Sequence, residues 1–97
     1  MAKKRPAVYI MASKPNGTLY TGVTSDLARR VAQHKSGETG GFCRRYGVNT
    51  LVYCEFHADM HAALLREKQV KKWYRDWKVQ LIERSNPHWR DLSEDLR

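Results

Sequence analysis

Three short stretches rich in β-branched and aromatic residues are separated by segments whose apolar positions recur at helical spacing. Residues 7 to 12, Ala-Val-Tyr-Ile-Met-Ala, and 18 to 24, Thr-Leu-Tyr-Thr-Gly-Val-Thr, flank Lys14-Pro15-Asn16-Gly17. Proline presets φ at the second turn position, asparagine tolerates the third and glycine suits the fourth, so this spacing predicts a hairpin. Residues 50 to 57, Thr-Leu-Val-Tyr-Cys-Glu-Phe-His, predict a third strand. Ser25 or Asp26 caps a helix running to about Lys35, because either side chain accepts from the free amides of a first turn. Residues 36 to 49 hold four glycines and read as a long loop carrying Arg44, Arg45, Phe42 and Tyr46. Asp59 opens a strongly helical segment to about Tyr74, and a shorter helix runs from Asp76 to Arg84, ended by Asn86-Pro87. The last ten residues are expected to pack through Trp89 and Leu92. The predicted fold class is α+β, a three-stranded antiparallel sheet flanked by helices in the order β-β-α-β-α-α.

Where polar residues fall on those periods is more informative than the periods. In the first helix Leu27, Arg30, Val31 and His34 form the inward stripe, with Asp26, Arg29 and Gln33 on the other face. An arginine and a histidine are therefore expected to face inward. In the long helix Met60, Ala63, Leu64, Glu67, Val70 and Tyr74 form one stripe, and a carboxylate sits in its middle. A carboxylate drawn from water costs several kcal/mol unless paired or bound to a cation. Two structural readings compete with a functional one: an ion pair between Glu67 and Arg30, or Glu67 turned off the stripe into solvent. With Lys14 paired to Gly17, Tyr9 lies opposite Gly22 and shares a face with Tyr20. Two tyrosines so placed are, taken alone, more often a packing cluster.

Composition narrows the choice of partner. The 97 residues, 41% hydrophobic, suffice for one core and leave no room for a second domain, so a single domain over residues 1–97 is expected, with residues 1 to 5 as a basic tail. Eighteen Lys and Arg against ten Asp and Glu give a net charge of +8, which points to a polyanion, nucleic acid by default, although composition alone fits a small protein kept soluble by lysine as well. Phosphate contacts are expected from Arg44, Arg45, Lys68, Lys71, Lys72, Arg75 and Lys78, together with strong salt dependence. No apolar run approaches the ~20 residues that span a bilayer, and the basic residues 1 to 5 lack an apolar segment behind them, so a cytoplasmic protein is expected with neither membrane nor obligatory protein partner. Cys43 and Cys54 make no disulfide framework and fit a reducing compartment. Cys54, His57 and His61 have a zinc-like spacing, but strand alternation turns Cys54 and His57 to opposite faces and argues against zinc.

Val8-Tyr9-Ile10, Tyr20-Thr21-Gly22, Arg30, His34, Glu67 in a helix and a late Asn86 together resemble the GIY-YIG nuclease superfamily. The resemblance covers roughly residues 6 to 92 and is strongest to stand-alone single-domain members. It is also similar to the N-terminal nuclease domain of the excision-repair incision protein and to GIY-YIG homing endonucleases. Val8 stands where the family has glycine, Thr21 where it has isoleucine, and Val23 where the incision relatives carry lysine. The resemblance implies an endonuclease hydrolysing phosphodiester bonds in DNA, in repair, recombination or processing. It implies one divalent metal, Mg²⁺ or Mn²⁺, held by Glu67, a phosphate clamped by Arg30, and water activated by Tyr20. Tyr9 would position that water or contact the phosphate, His34 would orient or deprotonate a phenol, and Asn86 would support the site. Sequence reading in the superfamily resembles the work of added domains, so cleavage is expected to be structure-guided or weakly selective. The alternative is a binding module that keeps the fold and the basic surface without efficient turnover.

Overall fold

The computed structural model describes residues 5–38 and 41–96. Strands β1 (Ala7–Ala12) and β2 (Leu19–Thr24) form the expected hairpin. Its turn closes through the Gly17 amide on the Lys14 carbonyl at 2.9 Å, with Asn16 at φ 58°. Strand β3 (Thr50–Phe56) pairs antiparallel with the other edge of β1, giving the order β2-β1-β3. Every residue of β1 is buried because the strand is central and covered on both faces. A bulge displaces the β3 register, so that Ile10 faces Tyr53 and Met11 faces Leu51, with Val52 as the extra residue.

The alternation along β1 feeds two cores. Ala7, Tyr9 and Met11 pack with Leu27 and Val31 of α1 (Leu27–Ser36), Cys43 of α2 (Gly41–Tyr46), Val48 and Leu51. Leu92 and Leu96 of a 3-10 helix (Leu92–Leu96) close that layer, while Trp89 is buried on the opposite side. Ile10 and Ala12 pack there with Val52, Val70 of α3 (Met60–Lys71), Ile82 of α4 (Arg75–Ser85) and Trp89. Helices therefore cover both faces of the expected α+β sheet.

Several boundaries differ from the sequence expectation, among them both ends of α4, which runs Arg75–Ser85 where Asp76 to Arg84 is expected. The stretch read as a loop holds the six-residue α2, whose Cys43 docks into the Tyr9 core. β2 begins at Leu19 and β3 ends at Phe56, each one residue short of the expected strand. α3 stops at Lys71 instead of Tyr74 because a break at residues 72–74 turns the chain into α4. Tyr74 consequently leaves the apolar stripe, becomes the residue before α4 and is 76% exposed. Leu64, also assigned to that stripe, is 41% exposed.

Candidate active site

The hairpin register fixes the first feature of the site. Tyr9 lies opposite Gly22, and the phenol occupies the volume where a side chain would stand: a Cβ on Gly22 would meet the Tyr9 Oη at 2.5 Å and Cζ at 2.6 Å. Glycine at this position is thus a packing requirement of the Tyr9 ring. Tyr20, half-buried, sits 6.3 Å away between ring centroids on the same face.

Helix α1 brings His34 to this pair. Asp26 caps the helix through the Arg29 amide and Gly37 ends it in the left-handed region, so the last turn presents His34 to the sheet. The Tyr9 Oη and His34 Nε2 are 3.1 Å apart in a buried contact. His34 also packs edge-on against Tyr9 at 5.8 Å and lies 5.4 Å from Tyr20. Burial, then the nearby Arg30 guanidinium, holds the His34 pKa below its ordinary value, so the imidazole is neutral at neutral pH. Burial, then Tyr20, pushes the Tyr9 phenol well above its ordinary value, against the lowering influence of Arg30. With both groups neutral, the imidazole tautomer decides which of them donates, since a phenol oxygen can give or accept.

Arg30 does not face inward. It lies one turn before His34 but is exposed, because the long side chain carries its guanidinium to water from the edge of the stripe. There it lines a shallow depression with Thr24, Asp26, Arg29 and Gln33, within electrostatic reach of Tyr9. Glu67 approaches from α3, which packs on β2 and β1, and its charge also acts on Tyr9. Its carboxylate, 12% exposed, is paired with Lys71 at 3.0 Å, one turn on. Neither expected partner arrangement holds, since the ion pair is to Lys71 and not to Arg30. An i,i+4 pair contributes about 0.3–0.5 kcal/mol, well under the several kcal/mol that burial of a carboxylate costs. Helix stability alone therefore gives little reason for Glu67 to be there.

Asn86 belongs elsewhere. Its Nδ2 donates to the Val52 and Arg90 carbonyls at 3.1 and 2.9 Å, and its Oδ1 accepts from the Arg90 amide at 3.1 Å. These bonds clip the chain after α4 to the face of the sheet opposite Tyr9.

The basic residues form two groups and not one surface. Lys68, Lys71, Lys72 and Arg75 are exposed on α3 and α4, and the Lys78 pKa is lowered by burial, then by Arg75 and Lys71. Arg75 is already engaged, its Nη2 donating to the Asn16 and Gly17 carbonyls of the hairpin turn. Arg44 and Arg45 lie on α2, against the other core, where Phe42 extends the aromatic cluster at 6.5 Å from Tyr20. Cys54 packs in the Tyr9 core while His57 bonds Glu55 at 2.6 Å. The sequence reading missed a set on β3 and α3: Tyr53, His57 and Arg66 all bond the Glu55 carboxylate. Its signal is the alternation Tyr53, Glu55, His57, polar side chains at every second position along β3 and just past its end.

A sheet with helices on both faces carries a phenol–imidazole pair at the hairpin, with a carboxylate brought in from α3. A family model described as the GIY-YIG catalytic domain matches residues 5–80, and the chain belongs to that family. A UPF0213 protein of Clostridium perfringens is 40% identical over 75 residues, 77% of this chain and 80% of that one. A UPF0213 protein of Haloquadratum walsbyi is 40% identical over 76 residues, 78% and 84% of the two chains. The solution NMR structure of a UPF0213 protein from Bacillus halodurans superposes with a TM-score of 0.56 at 29% identity, covering 93% of this chain and 95% of that one.

Proposed function

We propose that the chain is a divalent-metal-dependent endonuclease that hydrolyses phosphodiester bonds in DNA, structure-guided or weakly selective, in DNA repair or processing. The observation that carries the reading is the cluster at Tyr9: a buried bond to His34 with Tyr20 alongside, and Arg30 and Glu67 near enough to bias the ionisation of the phenol in opposite directions. Family membership supports the reaction class.

The donor set fits a hard cation. Among the described residues no three His, Cys, Asp or Glu side chains group together. One carboxylate, Glu67, is the arrangement Mg²⁺ or Mn²⁺ uses when water and substrate phosphate complete its shell. When bound, the ion supplies charge neutralisation at the phosphoryl oxygens. Lys71 pairs with Glu67 in the chain alone and turns to phosphate when substrate arrives.

Arg30, exposed and planar, clamps the scissile phosphate. Tyr9 is unsuited as a base, because burial holds its proton on the oxygen, which lies in hydrogen-bond contact with His34. Its role is to hold the hairpin face and the adjacent water. Tyr20, half-buried next to the imidazole, is the phenol open to water and the group we assign to its activation. Asn86 acts through the fold and not on substrate.

The test is nicking of supercoiled plasmid with Mg²⁺ or Mn²⁺. Glu67→Ala and EDTA are each expected to abolish it, with Tyr20→Phe slower by roughly 10²–10⁴-fold as for loss of a general base. Equal nicking by wild type and Glu67→Ala sinks the reading.

A further inference from the structure

On the face of the sheet opposite Tyr9, α3 and α4 enclose a cleft of about 410 Å³ lined by Arg66, Trp73, Trp77, Gln80, Leu81 and Arg84. The geometry points to a second nucleic-acid site here, one that stacks an unpaired base of a single strand. The inference takes its class of ligand from the proposed function but not its chemistry.

Three observations carry it. The first is aromatic surface without a cover: Trp77 is 52% exposed and Tyr74 76% exposed, although both are large apolar rings. Trp77 meets Trp73 at 6.1 Å and 79° and Tyr74 at 5.7 Å and 84°, so the three rings form an angled platform. The second is a positioned guanidinium. Arg66 lies 5.0 Å over the Trp73 ring, and its Nε donates to Glu55 at 3.0 Å, a carboxylate that also accepts from Tyr53 and is paired with His57. That network fixes the plane of the guanidinium before any ligand arrives. The third is charge. Residues 66 to 84 carry seven Lys and Arg against three Asp and Glu. Glu55 offsets Arg66, so Arg84 and the flanking lysines supply the net positive field.

Stacked bases inside a duplex have no free face to offer an indole, whereas an unpaired base does, and guanidinium planes and aromatic rings are the surfaces on which such bases stack. The cleft falls within the roughly 300–1,000 Å³ of pockets that seat one small ligand, too small for a duplex. Neighbouring residues of α3 serve the two sites: Arg66 is tied to β3 beside the cleft, and Glu67 belongs to the Tyr9 cluster.

The experiment measures binding of the full chain, in EDTA, to a fluorescein-labelled twelve-nucleotide oligothymidylate and to a blunt duplex of the same length. Trp77→Ala and Arg84→Ala are each expected to weaken oligothymidylate binding about tenfold and leave duplex binding within about twofold, while Trp77→Phe retains most of the affinity. Circular dichroism checks that each variant is folded. Unchanged oligothymidylate binding in folded Trp77→Ala overturns the proposal, as does an equal loss on both probes. A concentration-dependent dimer dispersed by Trp77→Ala would reassign the platform to self-association and overturn it too. Because metal is absent, a chain that binds through Trp77 but never nicks plasmid leaves this inference standing and removes the nuclease reading.

Discussion

Burial of Tyr9 and His34 couples two titrations of opposite sign to folding. The folded His34 pKa lies below the 6.5 of an unhindered imidazole, so the unfolded chain takes up the proton first and stability declines as pH falls below about 6.5. Tyr9 lies above its ordinary 10.0, so the unfolded chain loses its proton first and stability declines as pH rises past about 10. Thermal melts across this range are expected to show a plateau with two falling limbs. His34→Asn should flatten the acid limb and Tyr9→Phe the alkaline one, and an acid limb untouched by the histidine substitution would contradict the burial argument. At this scale the sequence was informative about side-chain direction where the side chain is short or ring-shaped. Tyr9, Gly22 and His34 follow from hairpin register and helical period, because their Cβ vectors fix where they point. Arg30 did not, since a long flexible stem carries its charge away from the direction its backbone sets.

Elements were legible wherever local chemistry marks both ends. The Pro15-Asn16-Gly17 turn, the Asp26 and Asp59 caps and the Asn86-Pro87 stop all lie at or within a residue of the observed boundaries. The end of α3 was missed because apolar period continues through Trp73 and Tyr74 while the backbone breaks, and nothing like glycine or proline marks the break. α2 was missed because six residues give less than two helical turns of pattern, and the glycines around it suggest a loop. Asn86 illustrates how a spacing match and a structural role diverge. Asn86→Ala would leave the Val52 and Arg90 carbonyls and the Arg90 amide without their partner, at about 1–3 kcal/mol for each buried group left unsatisfied. The expected result is a markedly lower melting temperature with plasmid nicking per folded molecule retained. Loss of nicking with stability intact would return Asn86 to the catalytic set.

For the molecule as a whole, the charge excess predicted a polyanionic partner without showing how the cations are arranged. The seven expected to contact phosphate divide between α2 and the α3–α4 region, with Arg29, Arg30 and Lys35 on α1 besides, and no composition argument shows that arrangement. Duplex affinity is expected to fall steeply with salt, by about 0.9 in the logarithmic slope per phosphate neutralised. Lys72→Ala should lower that slope by about 1, whereas Arg75→Ala should lower it less, because the Arg75 guanidinium is already bound to the hairpin turn. Equal slopes for the two variants would mean that the turn contact gives way when DNA binds. No helix of the described residues is long and apolar enough to cross a membrane.

The sheet order places the first strand of the chain in the middle, hydrogen-bonded on both sides. Tyr9 is carried on that strand, while the rest of its cluster sits on an edge strand and on helices. Partial openings that fray the ends or release a helix leave the central ladder closed, so the amides around Tyr9 exchange with solvent only when the whole domain opens. Heat is therefore expected to remove the phenol from its place in the same cooperative event that dissolves the sheet, and amide exchange at residues 8 to 11 as slow as global unfolding is the result that checks it.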